Sequence, residues 1–326
     1  MKKSLVLLLI SSLVSGLYAR QPRTVVEPPF AFRNSGTLEI ERIELAPEST
    51  TVYIQAYFRP HNWIRISSET YIRAGAEGEK LTVRSADGMP LDTEFYMPET
   101  GRHDFSLSFP PVDPKTAKID LIESDCPDCF KIYDIDLTGK KAKPGRAALA
   151  KKYKKTVPLT GNFTAPVVSD SPARIAGAIT GYDPRFFDRI EIAFYSPIVG
   201  DGATELSVLV REDGSFETGL NILTPIRGML FLPGFVTLPF YAEPGRETAL
   251  EIDLGAVYRK TSVFKELHPQ TSPVVYYGEL GRVNEELARL QKIQVRTGTL
   301  HIGYHFDRLT RIHGMRPEQY KQYVTE

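Results

Sequence analysis

Short runs in which apolar and polar residues alternate recur through most of the sequence, and this period of two constrains the fold more than any other feature. In the run TVYIQAYFR one face carries the apolar residues Val52, Ile54, Ala56 and Phe58. The runs HDFSLSF, AKIDLI and FKIYDIDL repeat the pattern, and turn-rich pieces such as ADGMP and PETGR separate them. Period two with frequent breaks predicts antiparallel strands. Because a sheet with one apolar face must bury it against a second layer, we predict a β-sandwich.

A second alternating region predicts a second, smaller sandwich. The runs ARIAGAITG, RIEIAFYSP, ELSVLVRED, SFETGLNIL and ALEIDLGAV all suit strands. Asp213-Gly214 predicts a two-residue hairpin between two of them, because glycine supplies the positive φ that type I′ turns need. The prolines of FLPGFVTLPFYAEPG predict edge strands or tight turns, since proline cannot donate to a central ladder.

The last part of the sequence changes period and predicts helices. In GELGRVNEELARLQKI an apolar stripe carries Leu280, Val283, Leu287, Leu290 and Ile293. A further helix is expected to open at Pro317, a residue tolerated at the first helical position. Because a helix of so few residues is marginal alone, two alternatives stay open: a natural chain that continues past Glu326, or a module that stands alone.

These patterns predict a mainly β protein with two antiparallel β-sandwich domains followed by a short helical segment. The predicted organisation is a signal peptide over 1–19, an N-terminal sandwich over 24–138, a basic linker over 139–165, a second sandwich over 166–260 and a helical connector over 261–326.

The first residues, MKKSLVLLLISSLVSGLYAR, predict export. Two lysines precede an apolar run and small residues that end at Ala19, the pattern of a secretory signal peptide. The run is shorter than the roughly 20 residues that cross a bilayer, so no transmembrane span is expected after its removal. We therefore predict a location in the periplasm or the cell envelope. Cleavage leaves 38 basic against 40 acidic residues, a balance that does not indicate nucleic acid as a partner.

Cys126 and Cys129 form a C-x-x-C pair in a chain with no other cysteine. A thioredoxin-type dithiol would need a helix after the pair to stabilise a thiolate, and FKIYDIDL instead alternates like a strand. A structural zinc site commonly needs a second pair of ligands, which the sequence lacks. We favour a structural disulfide, which an oxidising compartment permits, and retain thiol-disulfide exchange as the alternative.

Trp63, in FRPHNWIRIS, is the single tryptophan, and Arg59 and Arg65 flank it. The three residues are a candidate binding face for sugar or peptide, because amphipathic rings and arginine are common at interfaces. The alternative, which we favour, places Trp63 in the core. His301 and His305 would share a face only on a helix, and LHIGYHFD alternates, so no metal site is predicted. We predict no catalytic residue and no cofactor, since the sequence has no HExxH, P-loop, G-x-S-x-G or G-x-G-x-x-G motif.

Several phrases resemble one family. The stretches IQAYFRPHNWIRISSETYI, FYMPETGRHDFSLSFPP and IDLIESDCPDCFKIYDIDLTG are similar to the N-terminal region of exported TlpA-type thioredoxin-like proteins of Bacteroidetes. The later ITGYDP, EDGSF, YAEPG, YYGELGRVNEELA and GMRPEQYKQY resemble their middle sandwich and helical connector. The resemblance implies a C-terminal thioredoxin domain with a WCxxC motif, which this sequence does not contain. CPDC matches the family's N-terminal phrase, so no catalytic residue is carried over.

Together these features predict an exported, non-catalytic accessory or binding module, whose partner is an envelope protein or a thioredoxin-like domain. Thiol-disulfide exchange by the C-x-x-C pair and binding of a glycan or peptide at the cell envelope are the alternative functions.

Overall fold

The computed structural model describes residues 22–139, 168–196, 202–264, 273–290 and 315–325. The predicted signal peptide, the basic linker beyond Gly139 and the two histidines at 301 and 305 lie outside these ranges. In the described residues no helix is long and apolar enough to cross a membrane.

Strands dominate residues 22–139, as the alternating pattern predicts. The strands are β1 (Arg23–Val26), β2 (Phe32–Arg33), β3 (Leu38–Leu45), β4 (Thr50–Tyr57), β5 (Trp63–Ile64), β6 (Tyr71–Arg73), β7 (Leu81–Thr82), β8 (Ser85–Asp87), β9 (Phe95–Tyr96), β10 (Arg102–Phe109), β11 (Lys118–Ile122) and β12 (Lys131–Asp136). One sheet has the order β1-β3-β4-β10-β8, and the other has the order β2-β12-β11-β6-β7. Strands β5 and β9 form a separate two-stranded ribbon.

The core of this first sandwich lies between the two five-stranded sheets. Phe105 and Leu107 on β10 stand opposite Ile54 and Val52 on β4, and all four are buried. They join one apolar cluster with residues of the second sheet such as Ile119. Burying a side chain of this size contributes about 1.5–3 kcal/mol, so this cluster is the main stabilising element of the sandwich.

Phe58 departs from the predicted pattern. The alternation in TVYIQAYFR places it on the buried face, whereas β4 ends at Tyr57 and Phe58 is 40% exposed. The backbone N–H of Phe58 donates to the carbonyl of Gly101 at 3.0 Å, where the chain leaves the strand. The periodicity therefore predicts the strand but overruns its end.

Eight described strands between Ala173 and Tyr277 form the second set of sheets. The strands are β13 (Ala173–Thr180), β14 (Arg189–Tyr195), β15 (Ala203–Leu209), β16 (Ser215–Leu220), β17 (Ile226–Leu232), β18 (Val236–Ala242), β19 (Glu247–Asp253) and β20 (Val274–Tyr277). The sheet orders are β16-β13-β19-β20 and β15-β14-β17-β18. Pro239 lies on β18 at a sheet edge, which confirms the interpretation of the proline pattern. The mainly β fold class with antiparallel sheets is thus confirmed, with one parallel pair, β13 with β19.

A glycine and a phenylalanine stand opposite each other in both sheets of this region. Gly177 pairs with Phe216, and Gly228 pairs with Phe240. A Cβ atom at either glycine would lie within 2.4 Å of the opposing ring, so each ring lies directly over a position without a side chain. Only glycine fits under these rings.

Asp213-Gly214 does not form the predicted two-residue hairpin within one sheet. Gly214 has the expected positive φ of 78°. However, β15 pairs with β14 whereas β16 pairs with β13 in the other sheet. The turn is closed locally by the N–H of Arg211, which donates to the carbonyl of Ser215 at 2.8 Å. The chain therefore crosses from one sheet to the other here.

Three helices are described, α1 (Leu254–Thr261), α2 (Gly281–Leu290) and α3 (Pro317–Thr325). Pro317 is the first residue of α3, as predicted. Helix α1 corrects the interpretation of ALEIDLGAV as a strand throughout. Asp253 is its N-cap and accepts a hydrogen bond from the N–H of Ala256 at 2.8 Å, which starts a helix after β19. Strand β20 likewise lies in a segment predicted to be helical.

Aromatic rings join the first sandwich to the second set of sheets. Phe32 on β2 is fully buried, and its ring stacks on that of Phe186 at a centroid distance of 5.2 Å. The ring of Tyr258 on α1 meets Phe32 edge-on at 5.0 Å. Such pairs contribute about 0.5–1.5 kcal/mol beyond the area that they bury.

A buried ion pair lies beside these rings. Arg33 Nη1 and Glu39 Oε1 are 2.7 Å apart, and each side chain is only 2% exposed. Arg33 also donates to the carbonyl of Leu38 at 3.3 Å. The end of α1 supplies further hydrogen bonds: Arg33 donates to Thr261 Oγ1 at 3.0 Å, while Glu39 accepts from Ser262 Oγ at 2.9 Å and from the N–H of Val263 at 3.2 Å. Both charges of the first sandwich therefore depend in part on residues that follow β19.

A second polar group bridges the same two parts of the chain. Arg185 donates to Asp120 at 2.9 Å, to Asp134 at 3.2 Å and to Asp183 at 3.0 Å. Asp120 is almost fully buried and also accepts from Arg73 at 3.2 Å. The hydrogen bond from Arg185 is the main reason that the pKa of Asp183 is lowered. The two parts are therefore held by charge pairs as well as by rings.

We expect Glu39→Ala to lower the free energy of unfolding by about 3–5 kcal/mol, because it leaves the Arg33 guanidinium buried without its counter-ion. Asp104→Ala is the matched control, since the Arg102–Asp104 pair is about half exposed and solvent screening leaves such a pair with little effect on stability. Urea unfolding of both variants measures the difference. Equal losses would show that the buried pair does not stabilise the junction.

Candidate functional site

The ribbon of β5 and β9 presents two aromatic side chains to solvent. Trp63 stands directly opposite Tyr96, and Ile64 stands opposite Phe95. Because successive residues of a strand point to opposite faces, Ile64 and Phe95 turn toward the core cluster while Trp63 and Tyr96 turn away from it. The sequence thus places one apolar and one exposed aromatic face on the same short ribbon.

Trp63 is 47% exposed and Tyr96 is 60% exposed. The expectation that Trp63 lies in the core is therefore wrong. Its strand has only two residues and belongs to neither five-stranded sheet, so no second layer covers its outer face. Among the described residues neither ring stacks on another ring or beneath a cation. Both rings are available to a ligand.

Backbone hydrogen bonds and a buried methionine fix the ribbon. The N–H of Met97 donates to the carbonyl of Asn62 at 2.9 Å, and the N–H of His61 donates to the carbonyl of Met97 at 3.0 Å. Met97 is 2% exposed and belongs to the core cluster. On the inner side the ring of Phe95 packs on that of His103 at 4.1 Å. The exposed rings therefore rest on a rigid base.

Polar side chains flank the two rings. Tyr96 donates its hydroxyl hydrogen to Glu94 Oε2 at 3.0 Å, and this hydrogen bond raises the pKa of Tyr96. Arg65 follows Trp63 by two residues and is exposed, just beyond the end of β5, and its charge also acts on Asp92 and Glu123. We call Trp63, Tyr96, Arg65 and Glu94 the aromatic face.

The structure brings together only part of the predicted site. Arg65 belongs to the aromatic face, whereas Arg59 is an exposed residue at the start of a turn, where its carbonyl accepts from the N–H of Asn62 at 3.2 Å. Tyr96 was missed, because 33 residues separate it from Trp63 and only strand pairing brings them together. The alternation in TEFYM was a weak signal for a strand, but it did not identify the strand's partner.

Cys126 and Cys129 form a disulfide in the loop between β11 and β12, with a Cα–Cα distance of 5.3 Å. Cys126 is exposed and Cys129 is half-buried. Strand β12 begins at Lys131, so no helix follows the pair. The N-terminal helix dipole that lowers the pKa of a redox thiol is therefore lacking at this site.

Buried polar contacts anchor the base of this loop. Glu123 accepts from the N–H of Phe130 at 3.0 Å and from the N–H of Ser67 at 3.3 Å, and burial raises the pKa of Glu123. Asn34 donates to the carbonyl of Cys129 at 2.7 Å and accepts from the N–H of Lys131 at 2.9 Å. The disulfide therefore closes a loop whose base is already held by hydrogen bonds.

A cleft of the first sandwich lies elsewhere. It has a volume of about 400 Å³ and is lined by the turn after β3 and the segment after β10, at Arg23, Leu45, Ala46, Pro47, Pro111, Val112, Asp113 and Pro114. None of these residues belongs to the aromatic face. In the described part of the chain no group of three or more His, Cys, Asp or Glu residues is placed to hold a metal.

Comparisons with known proteins identify no family. No protein-family model and no curated protein matches the chain. Among solved structures, a type I pullulanase from Bacillus subtilis str. 168 complexed with maltose matches at 8% identity and a TM-score of 0.24, over 59% of this chain and 23% of that one. The pullulanase from Bacillus acidopullulyticus matches at 8% identity and a TM-score of 0.20, over 65% and 34%. This chain therefore spans about a quarter to a third of those enzymes, and scores this low carry no argument about function.

We expect the double variant Cys126→Ser/Cys129→Ser to lower the free energy of unfolding by less than about 2 kcal/mol, because so short a ring constrains the unfolded chain little. Glu123→Ala should cost more, since it leaves two backbone N–H donors unsatisfied at about 1–3 kcal/mol each. Urea unfolding of both variants tests this order. A larger loss from the cysteine variant would show that the disulfide, rather than Glu123, holds the loop.

Proposed function

We propose that this chain is an exported, non-catalytic binding module and that its aromatic face binds a glycan. The observation that carries the proposal is the pair of exposed rings, Trp63 and Tyr96, on opposed positions of a rigid ribbon. Exposed apolar surface of this kind, with polar residues beside it, is typical of interaction sites.

The chemistry of the aromatic face suits a sugar. The faces of aromatic rings carry negative charge density, which attracts the polarised C–H bonds on the flat side of a sugar ring. Arg65 can donate hydrogen bonds to hydroxyl groups and Glu94 can accept them, so the rim supplies both halves of hydroxyl recognition. The face is open rather than concave, which favours a stretch of polymer over a small molecule enclosed in a pocket.

A peptide ligand has less support. Extended peptides usually bind by adding a strand to a sheet edge, where main-chain hydrogen bonds supply affinity. Strands β5 and β9 have two residues each, so their edges offer few such bonds. The rings also lie on the surface of the ribbon and not along a groove. We therefore favour the glycan.

The resemblance to TlpA-type proteins motivates the location and the accessory role in this proposal. In that role the module positions an envelope protein or a thioredoxin-like domain near its ligand. Genomic DNA downstream of codon 326 tests this part. A thioredoxin reading frame would support it, and a genuine stop codon without such a frame nearby would count against it.

We expect Trp63→Ala and Tyr96→Ala each to weaken glycan binding at least tenfold, because a stacked aromatic at the centre of an interface is worth about 2 kcal/mol or more. A screen on a glycan array, followed by calorimetry with the best ligand, provides the measurement. Phe235→Ala is the matched control, since Phe235 is 98% exposed in the turn between β17 and β18 and should leave the affinity unchanged.

Three outcomes distinguish a glycan ligand, a peptide ligand and a binding site outside the aromatic face. If both variants keep their circular dichroism spectra and lose binding, the aromatic face is the site. If wild-type protein binds peptides in a Trp63-dependent way and no glycan, the face is correct and the ligand class is wrong. Unchanged affinity in Trp63→Ala would exclude the aromatic face.

A further inference from the structure

In the described part of the chain, strand β15 is an edge strand with no strand paired to its outer side. It pairs with β14 over seven consecutive positions, Arg189 with Leu209 through Tyr195 with Ala203, without a register shift. Its other side has no neighbour in the sheet order β15-β14-β17-β18. Five of its seven residues are exposed, including Leu209 at 56%.

The other edge strands of the described part of the chain are protected or short. Strand β18 carries Pro239, β16 has six residues, β1 and β20 have four each, β8 has three, and β2 and β7 have two each. Natural proteins blunt edges with proline, lysine, bulges or short strands, because an open edge is a template for pairing with another chain. Strand β15, with the sequence ATELSVL, has no proline, lysine or bulge, and Glu205 is its one charged residue.

The hydrogen-bond phase shows which backbone groups of β15 face outward. The N–H of Val210 donates to the carbonyl of Asp188 at 2.8 Å, so this pair is a hydrogen-bonded one. Because hydrogen-bonded and non-hydrogen-bonded pairs alternate along an antiparallel ladder, the residues of β15 whose N–H and C=O groups point away from β14 are Ala203, Glu205, Ser207 and Leu209.

We propose that β15 pairs antiparallel with β15 of a second copy of this chain, about a two-fold axis at Leu206. In this register Glu205 faces Ser207 of the second copy, and Ala203 faces its Leu209. All four outward-facing residues are then paired in each copy, which forms about eight backbone hydrogen bonds across the axis. The two four-stranded sheets join into one continuous sheet.

Charge selects this register over its neighbour. If the two-fold axis lay at Glu205 instead of Leu206, Glu205 would stand directly opposite Glu205 of the second copy. Like charges in that position are destabilising. In the proposed register Glu205 instead meets Ser207, whose hydroxyl already accepts from Arg189 Nε at 2.7 Å. The guanidinium of the second copy therefore lies beside the Glu205 carboxylate. The same hydroxyl donates to Glu191 at 2.7 Å, so Ser207 links Arg189 to Glu191 within each copy.

Apolar residues on the outer face of the same sheet support a shared surface. Tyr195 on β14 is 54% exposed, and Met229 and Phe231 on β17 are 39% and 37% exposed. Ala193 pairs with Met229, and Glu191 pairs with Phe231, so these side chains lie on one face. Joining two sheets would double this face.

A single introduced cysteine tests the axis, because both native cysteines are in a disulfide. In Leu206→Cys the two thiols would form a non-hydrogen-bonded pair with Cα atoms about 4.5 Å apart, within disulfide range. Copper–phenanthroline oxidation should therefore convert most of the protein to a covalent dimer. Thr204→Cys is the matched control. Its two copies would lie about 13 Å apart along the strands, at roughly 3.3 Å per residue, and should not crosslink.

Sedimentation velocity of the untreated proteins tests the edge itself. The wild type should be dimeric, and Glu205→Pro should be monomeric with an unchanged circular dichroism spectrum, because it removes only an outward-facing N–H. Glu205→Gln should remain dimeric. A monomeric wild type at all concentrations, or equal crosslinking of both cysteine variants, would overturn the proposal. Dimers that persist in Glu205→Pro would place the interface elsewhere. A monomer that binds extended peptides along β15 would show that a different chain occupies the edge.

Discussion

The buried pair of Arg33 and Glu39 is the constraint on which the arrangement of the two β regions depends. Both groups belong to the first sandwich, yet Thr261, Ser262 and Val263 at the end of α1 complete their hydrogen bonds. A buried charge without these donors and acceptors would cost several kcal/mol. The segment that follows β19 must therefore return to the first sandwich for both charges to be fully satisfied.

Other contacts reinforce the same junction and explain its composition. Phe32 fills the space beside the ion pair with ring contacts, and Arg185 ties Asp120 and Asp134 of the first sandwich to Asp183. The rings contribute buried apolar area. The charged groups fix the relative orientation of the two parts, because a guanidinium satisfies carboxylates only in a narrow range of geometries. The junction is therefore apolar, and its charge pairs also fix how the two β regions are aligned.

The sequence predicts the strands well where one face of a sheet is buried. Alternation correctly identifies β4 and β10, proline marks β18 as an edge, and Pro317 marks the start of α3. It fails where a local signal competes. The N-cap at Asp253 ends a strand that periodicity alone would continue. The domain boundaries and the resemblance to TlpA-type proteins remain expectations.

The candidate site was only half visible in the sequence, because its second ring comes from a distant strand. Trp63 and Arg65 were identified from their neighbours in the chain, whereas Tyr96 joins them through the pairing of β5 with β9. Exposure was also misjudged, since a tryptophan in a strand is usually covered by a second layer and β5 has none on its outer side. A site that forms only when two distant strands pair cannot be recognised from the residues around either strand.

The opposed glycine and phenylalanine pairs have a consequence for how this sequence can change. At Gly177 and at Gly228 the space of a side chain is occupied by the ring from the facing strand. Each pair therefore behaves as one volume shared between two positions. A bulkier residue on one strand is compatible with the sheet only when the residue across from it shrinks, so the two sites are expected to vary together among descendants of this chain.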